Sequence, residues 1–186
     1  MSEETVVRWC APTLACLKTG SMFTCAFADR ADMTHSLQSL NRSLRDKGLR
    51  AIALRYREGR GLIYLYRPHM LARDLESGIA HALLAECGYQ REEPSQCLAE
   101  LCRRLRGNED FPHEIGLFLG YPPADVEGFM HRRDDFKASG MWKVYDDVDG
   151  AKRTFRRYKR CTENYIRRCR NGSSLRELSV ATPAEI

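Results

Sequence analysis

The stretch Leu49-Arg-Ala-Ile-Ala-Leu-Arg-Tyr-Arg57, followed by Glu58-Gly59-Arg60-Gly61 and Leu62-Ile-Tyr-Leu-Tyr66, decides the fold. Its first part sets Leu49, Ala51 and Ala53 against Arg50, Ile52 and Leu54, the two-residue period of a strand. Its middle is turn chemistry and its last part is a short run of strand formers, so the whole reads as a hairpin. Upstream, Ser21-Met-Phe-Thr-Cys-Ala-Phe27 is also rich in strand formers, and far downstream Met141-Trp-Lys-Val-Tyr145 is a further strand candidate.

Helical periods fill most of the remaining chain. Cys10 to Lys18 reads as a short helix with Pro12 in its first turn and Thr19-Gly20 at its end. Asp32 to Lys47 places Met33, Leu37, Leu40 and Leu44 on one face before a stop at Gly48. Pro68 to Cys87 keeps the helical period through Leu71, Leu75, Ile79 and Leu83 until Gly88. Ser95 is positioned to cap a helix to Arg106, with Leu98, Leu101, Cys102 and Leu105 inward. Gly120-Tyr121-Pro122-Pro123 is a turn, and Ala124 to Arg132 is a short helix entered through proline. From Val148 to Arg170 the positions Ala151, Phe155, Tyr158, Thr162, Tyr165 and Cys169 share one face, with arginines opposite.

The expectation is an α+β fold in a single globular domain over residues 1–172. A small, mainly antiparallel sheet (21–27, 49–57, 62–66, with 141–145 as candidate) is covered by helices, and a long amphipathic C-terminal helix packs across it. The tail, 173–186, is expected to fray.

Composition limits what such a domain does. The 186 residues are 43% hydrophobic and 30% charged, enough for one well-packed core. The longest apolar run, Leu62 to Tyr66, is far below the roughly 20 residues that span a bilayer, so no membrane partner is expected. The acidic start, with Arg8 and Lys18 bracketing the first apolar stretch, is unlike a signal peptide, and a cytoplasmic location with free thiols is expected. None of the eight cysteines shows the two-residue spacing of a zinc knuckle, and most are expected to serve as small buried hydrophobes. Residues 148 to 186 carry a net charge of +6 and the rest of the chain −1. A basic end fits nucleic acid or an acidic surface, but a solvated helix face is the commoner explanation.

Five islands, in order, carry a resemblance. They are Cys10-Ala-Pro-Thr-Leu14 with Lys18, Pro112-His-Glu114, Leu119-Gly-Tyr-Pro122, Trp142-Lys-Val-Tyr145, and Phe155-x-x-Tyr158-x-x-Cys161. In them the chain resembles the bacterial domain-of-unknown-function family numbered 3793, across nearly its whole length. That family has no assigned activity, so the resemblance implies identity alone, and function rests on the residues.

Three constellations carry chemistry. In the first, Cys10 ahead of a proline-initiated helix is placed for thiolate formation, His113 for a base and Glu114 or Asp146 for its orienting group. His113-Glu-Ile-Gly-Leu-Phe-Leu-Gly-Tyr121 is similar to the histidine strand of papain-like enzymes, although no oxyanion-donor glutamine precedes Cys10. The same residues also admit a buried Cys10 and a helix-capping His113. In the second, residues 112–133 match helix-turn-helix spacing through Gly116, Gly120 and Val126, which conflicts with a strand over 113–121. Asp125 and Glu127 on the helix that would approach phosphate make it a poor reader of nucleic acid. In the third, Cys10, Cys16, Cys25, His113 with Glu114, and Tyr158 with Cys161 form a ligand set suited to zinc, ferrous iron or haem iron, with no spacing that demands any of them.

Aromatic residues add a ligand-binding set. Trp142, Tyr145, Phe155 and Tyr158 are candidates to wall an apolar pocket with Lys143 as anion anchor; Tyr121 and Lys18 join them as ligand-binding candidates, and Lys18 equally fits a solvated charge at a helix end. The leading expectation is a site of Cys10, His113 and Glu114 that acts on or senses a small molecule. The alternatives are a non-enzymatic module that binds nucleic acid or a protein through the basic helix, and metal or haem binding through Cys and His. No resident metal is expected, nucleic acid is the disfavoured partner, and neither cofactor nor oligomeric state is assigned.

Overall fold

Ser2 accepts a hydrogen bond from the Thr5 amide and, with Glu3 and Glu4 in the first turn, starts a helix that runs well ahead of the cysteine expected to begin it. The structure, a computed structural model, describes residues 1–90, 93–107 and 111–182. In chain order the elements are α1 (Glu3–Leu14), β1 (Gly20–Ala26), α2 (Arg30–Leu44), a 3-10 turn (Arg45–Lys47), β2 (Arg50–Arg57), β3 (Arg60–Tyr66), α3 (Pro68–Leu75) and α4 (Gly78–Glu86). They continue with α5 (Pro94–Gly107), α6 (Ile115–Phe118), α7 (Pro123–His131), β4 (Ala138–Ser139), β5 (Lys143–Val144), α8 (Val148–Arg170) and α9 (Leu175–Leu178). The fold is α+β, with a small antiparallel sheet and a long C-terminal helix α8.

Contacts divide the chain into two compact units: Met1–His69 with the segment from Arg160 onward, and Met70–Lys159. The first unit holds the sheet, in the order β1-β3-β2, both pairings antiparallel. Its hairpin turns through Glu58 (φ 51) and Gly59 (φ 73), two consecutive left-handed residues whose twist matches the flanking strands. Inward-facing Ile63 and Leu65 of β3 meet Val7, Cys10 and Leu14 of α1 and Leu40 and Leu44 of α2 in one apolar core. Full burial of each such aliphatic side chain is worth about 1.5–3 kcal/mol.

Arg67, fully buried at the end of β3, closes this unit. Its guanidinium donates to the carbonyls of Thr13 (2.7 Å), Leu14 (2.8 Å), Lys47 (3.1 Å) and Val180 (2.7 Å), and to the Thr182 hydroxyl (3.0 Å). The tail, expected to fray, is held by these bonds at Val180 and Thr182. Ser174 and Glu177 form a reciprocal capping box on α9, and Leu175 and Leu178 enter the core. Residues 183–186 lie outside the described residues.

The second unit is mainly helical. The expected continuous helix from Pro68 to Cys87 is two, α3 and α4, because Ser77 leaves the helical region (ψ 130) ahead of Gly78. Helix α5 starts at Pro94 rather than under a Ser95 cap. The candidate strand 141–145 does not join the main sheet; only Lys143–Val144 is strand, paired with Ala138–Ser139 in a two-stranded ribbon.

Residues 113–121 are not a strand. Ile115–Phe118 is helix α6, and after a left-handed Gly120 (φ 70) the chain enters α7. The helix-turn-helix spacing therefore holds as geometry. A Cβ added to Gly116 would come within 2.8 Å of Val126 Cγ2, so only glycine lets α6 approach α7 this closely.

Candidate functional site

The turn between α6 and α7 and the ribbon β4–β5 enclose a cavity of about 640 Å³ in the second unit. Its apolar wall comes from Phe111, Ile115, Val126 and Phe129, and Tyr121 and Trp142 stack at its side with ring centres 4.8 Å apart. Val126 and Phe129 are three residues apart on α7 and so share one face. Trp142 is fixed from two directions. Phe155 meets its ring edge-on at 4.5 Å, and its Nε1 donates to Asp125 Oδ2 at 2.7 Å.

Asp125 is a buried structural carboxylate. Its Oδ1 also accepts from the amides of Tyr145 (2.7 Å) and Asp146 (3.2 Å), which leaves neither oxygen uncommitted. In the sequence it stands as an acidic obstacle to DNA. The structure makes it the post that ties α7 to β5 and to the indole of Trp142.

The polar side of the cavity gathers around Phe129. His113 packs edge-on against this ring at 5.0 Å, with the Arg133 guanidinium carbon 5.4 Å and the Lys143 ammonium 5.7 Å from the ring centre. Arg133 Nη2 donates to His113 Nε2 at 2.6 Å. The carbonyl of Arg133 accepts from Lys143 Nζ (3.1 Å) and from the Tyr145 hydroxyl (2.9 Å), which anchors an otherwise irregular segment. Among the described residues neither Arg133 nor Lys143 has a carboxylate within ion-pair distance.

The structure thus brings His113, Tyr121, Trp142 and Lys143 of the expected residues to one cavity. Tyr145 stands behind it as an anchor for Arg133, and Tyr158 lines a smaller hollow of about 300 Å³ that shares Asp125 and Trp142 as walls. Burial pushes the hydroxyls of Tyr121 and Tyr158 up, so both remain protonated donors.

Glu114 is turned away from His113. It is buried, accepts from the Tyr89 hydroxyl at 3.1 Å and faces Arg104 at 3.5 Å, so it holds α5 against the start of α6 rather than orienting an imidazole.

Cys10 is also displaced from its expected role. It lies in the third turn of α1, with Pro12 near the helix end, so the unpaired amides of the helix start are out of reach. It is fully buried in the first unit's core, and burial drives its thiol strongly upward, away from thiolate. Lys18 is half-buried in the same unit, where burial lowers its ammonium to about 8. The first unit thus holds Cys10 and Lys18, and the second holds His113 and Glu114. Only Cys10 and Cys97 among the eight cysteines are buried; the rest, expected mostly inside, are half-buried. Among the described residues no three His, Cys, Asp or Glu side chains are grouped to hold a metal ion.

The sequence reading missed Arg133, Phe129 and Phe111 as cavity residues. The three-residue offset of Val126 and Phe129 was a usable signal for Phe129, whereas Arg133 sits in an exposed turn with no periodicity to mark it. The arginines expected on the solvent face of α8, Arg153, Arg156, Arg157, Arg160, Arg167 and Arg168, are all exposed. No helix among the described residues is long and apolar enough to cross a membrane.

A family model described as a protein of unknown function, DUF3793, matches residues 6–179. No curated protein and no solved structure matches the chain. The family match runs from α1 into α9 and encloses all five motif islands and every cavity residue, and on that extent the chain belongs to the DUF3793 family.

Proposed function

We propose that this protein binds a small molecule with a planar apolar body in the cavity between α6, α7 and the β4–β5 ribbon. The observation that carries this is the cavity itself: about 640 Å³ lined mainly by apolar and aromatic side chains, with a few polar groups gathered at one side. Small-molecule sites have this make-up and fall in a range of roughly 300–1,000 Å³. The Tyr121–Trp142 stack, braced by Asp125 and Phe155, supplies a rigid wall on which a flat ring can lie. Binding therefore needs little reordering of the protein.

The supported site differs from a thiol–imidazole centre. His113 contributes without Cys10, and the residues around it bind and orient rather than attack. Nucleic acid is not the ligand we propose, because the helix in recognition position, α7, exposes Glu127 and commits Asp125 internally.

The test is a titration with 2-naphthamide, a neutral planar probe, followed by the indole N–H resonances of the two tryptophans. Saturable movement of the Trp142 signal, with Trp9 unmoved and the response lost in Phe129→Ala, is the expected result. An unmoved Trp142 signal, or a response that Phe129→Ala leaves intact, overturns the proposal.

A further inference from the structure

Among the described residues the polar side of the cavity carries positive charge that no carboxylate neutralises. Arg133 and Lys143 both line it, and among the described residues neither meets a carboxylate within ion-pair distance. Among the described residues the one carboxylate on the cavity wall, Asp125, spends both oxygens on Trp142 and two backbone amides. Asp134 and Asp135 follow Arg133 in the chain but are exposed and do not line the cavity. The two cations are not loose surface charges either. Lys143 Nζ bonds to the Arg133 carbonyl, and both cationic groups lie within 6 Å of the Phe129 ring centre, at 5.4 and 5.7 Å.

His113 completes the arrangement. A guanidinium only donates, so His113 Nε2 accepts from Arg133 and the ring proton sits on Nδ1. One of the guanidinium's five N–H groups is thereby directed at the imidazole, while the fork retains further donors. A planar fork beside an ammonium, at the edge of an aromatic wall, matches an oxyanion attached to a flat ring.

Resting on the cavity being a binding site, we infer that its ligand is a planar aromatic or heteroaromatic compound bearing an oxyanion, carboxylate or phosphate. The anion is gripped by Arg133 and Lys143, and the ring lies against Tyr121 and Trp142. His113 is a positioning residue that fixes the guanidinium, and Tyr145 and Lys143 fix the backbone that carries it.

The test compares three probes of one shape by calorimetry on the full chain: 2-naphthamide, 2-naphthoate and 2-naphthyl phosphate. At least one anion is expected to bind about tenfold or more tightly than the amide, the size of effect that charge-assisted hydrogen bonds give. The tighter of the two anions identifies the headgroup. Arg133→Gln and Lys143→Gln should each erode that preference by weakening the anion more than the amide, with circular dichroism showing that the variants fold. Arg133→Lys, which keeps charge but loses the fork, should fall between. Amide binding with no anion preference, or a preference that survives both Gln variants, overturns this inference and leaves the cavity proposal standing. Failure of all three probes overturns both.

Discussion

His113 and Arg133, twenty residues apart, are joined by a 2.6 Å hydrogen bond in which the imidazole Nε2 accepts from the guanidinium. Both side chains are exposed, so the pair contributes little to stability; exposed contacts of this kind are worth about 0–1 kcal/mol. Its value lies in holding Arg133 against Phe129 at the cavity edge. His113→Ala should therefore leave the unfolding midpoint nearly unchanged while lowering the affinity for 2-naphthoate severalfold. Calorimetry and a thermal melt on the same variant separate the two effects.

Asp125 should behave in the opposite way. Its carboxylate satisfies the Trp142 indole and the amides of Tyr145 and Asp146, all at the junction of α7 and β5. Asp125→Ala leaves those donors without an acceptor, at about 1–3 kcal/mol for each group that water cannot reach. Urea unfolding should report a loss of about 2–4 kcal/mol, the upper end of single-residue effects. A loss below about 0.5 kcal/mol would mean that the junction does not depend on this carboxylate.

Thiol reactivity should follow burial. Cys10 and Cys97 are buried, and burial raises both thiols, whereas Cys25 is half-buried on β1. Timed alkylation read by mass spectrometry should label Cys10 among the slowest of the eight, and only at the rate of unfolding. Rapid labelling of Cys10 under native conditions would restore it as a candidate nucleophile.

Lys18 gives a pH signature. Burial lowers its ammonium from 10.5 to about 8, with the neighbouring Cys10 thiol acting in the opposite direction. Between those values the unfolded chain holds the proton and the folded chain has released it, so stability rises with pH in that window. Cys10 works against this above its ordinary value of 9.0, where the unfolded thiol ionises and the buried one does not. From pH 7 to 9 the wild type should therefore gain stability relative to Lys18→Met, measured by urea midpoints across that range. Parallel curves for the two proteins would show that Lys18 keeps its ordinary protonation in the fold.

The sequence by itself determined the elements whose signal is local. The hairpin was legible because two-residue alternation and a Glu-Gly turn are properties of adjacent residues, and the turn forms through left-handed Glu58 and Gly59. The length of α8 and its exposed arginine face follow from a 3.6-residue period held for 23 residues. The closeness of α6 and α7 was legible in Gly116, Gly120 and Val126, because a helix pair can approach that tightly only where a side chain is missing.

Tertiary structure alone decided the site. His113 and Glu114 are neighbours in sequence, yet one faces the cavity and the other is buried against Tyr89 and Arg104, since successive residues at a helix start point in different directions. Pro12 suits a first helical turn, and on that local signal Cys10 looks like a helix-start thiol. Ser2 moved that start eight residues upstream of Cys10 and left the cysteine inside the core. The cavity draws on positions from 111 to 143, and its charge became visible only when packing assigned Asp125 to Trp142 and the backbone and left Arg133 and Lys143 without a carboxylate among the described residues. Local periodicity can specify which face of an element turns inward, but which distant side chains share a cavity, and which charges are neutralised there, is settled by how the elements pack.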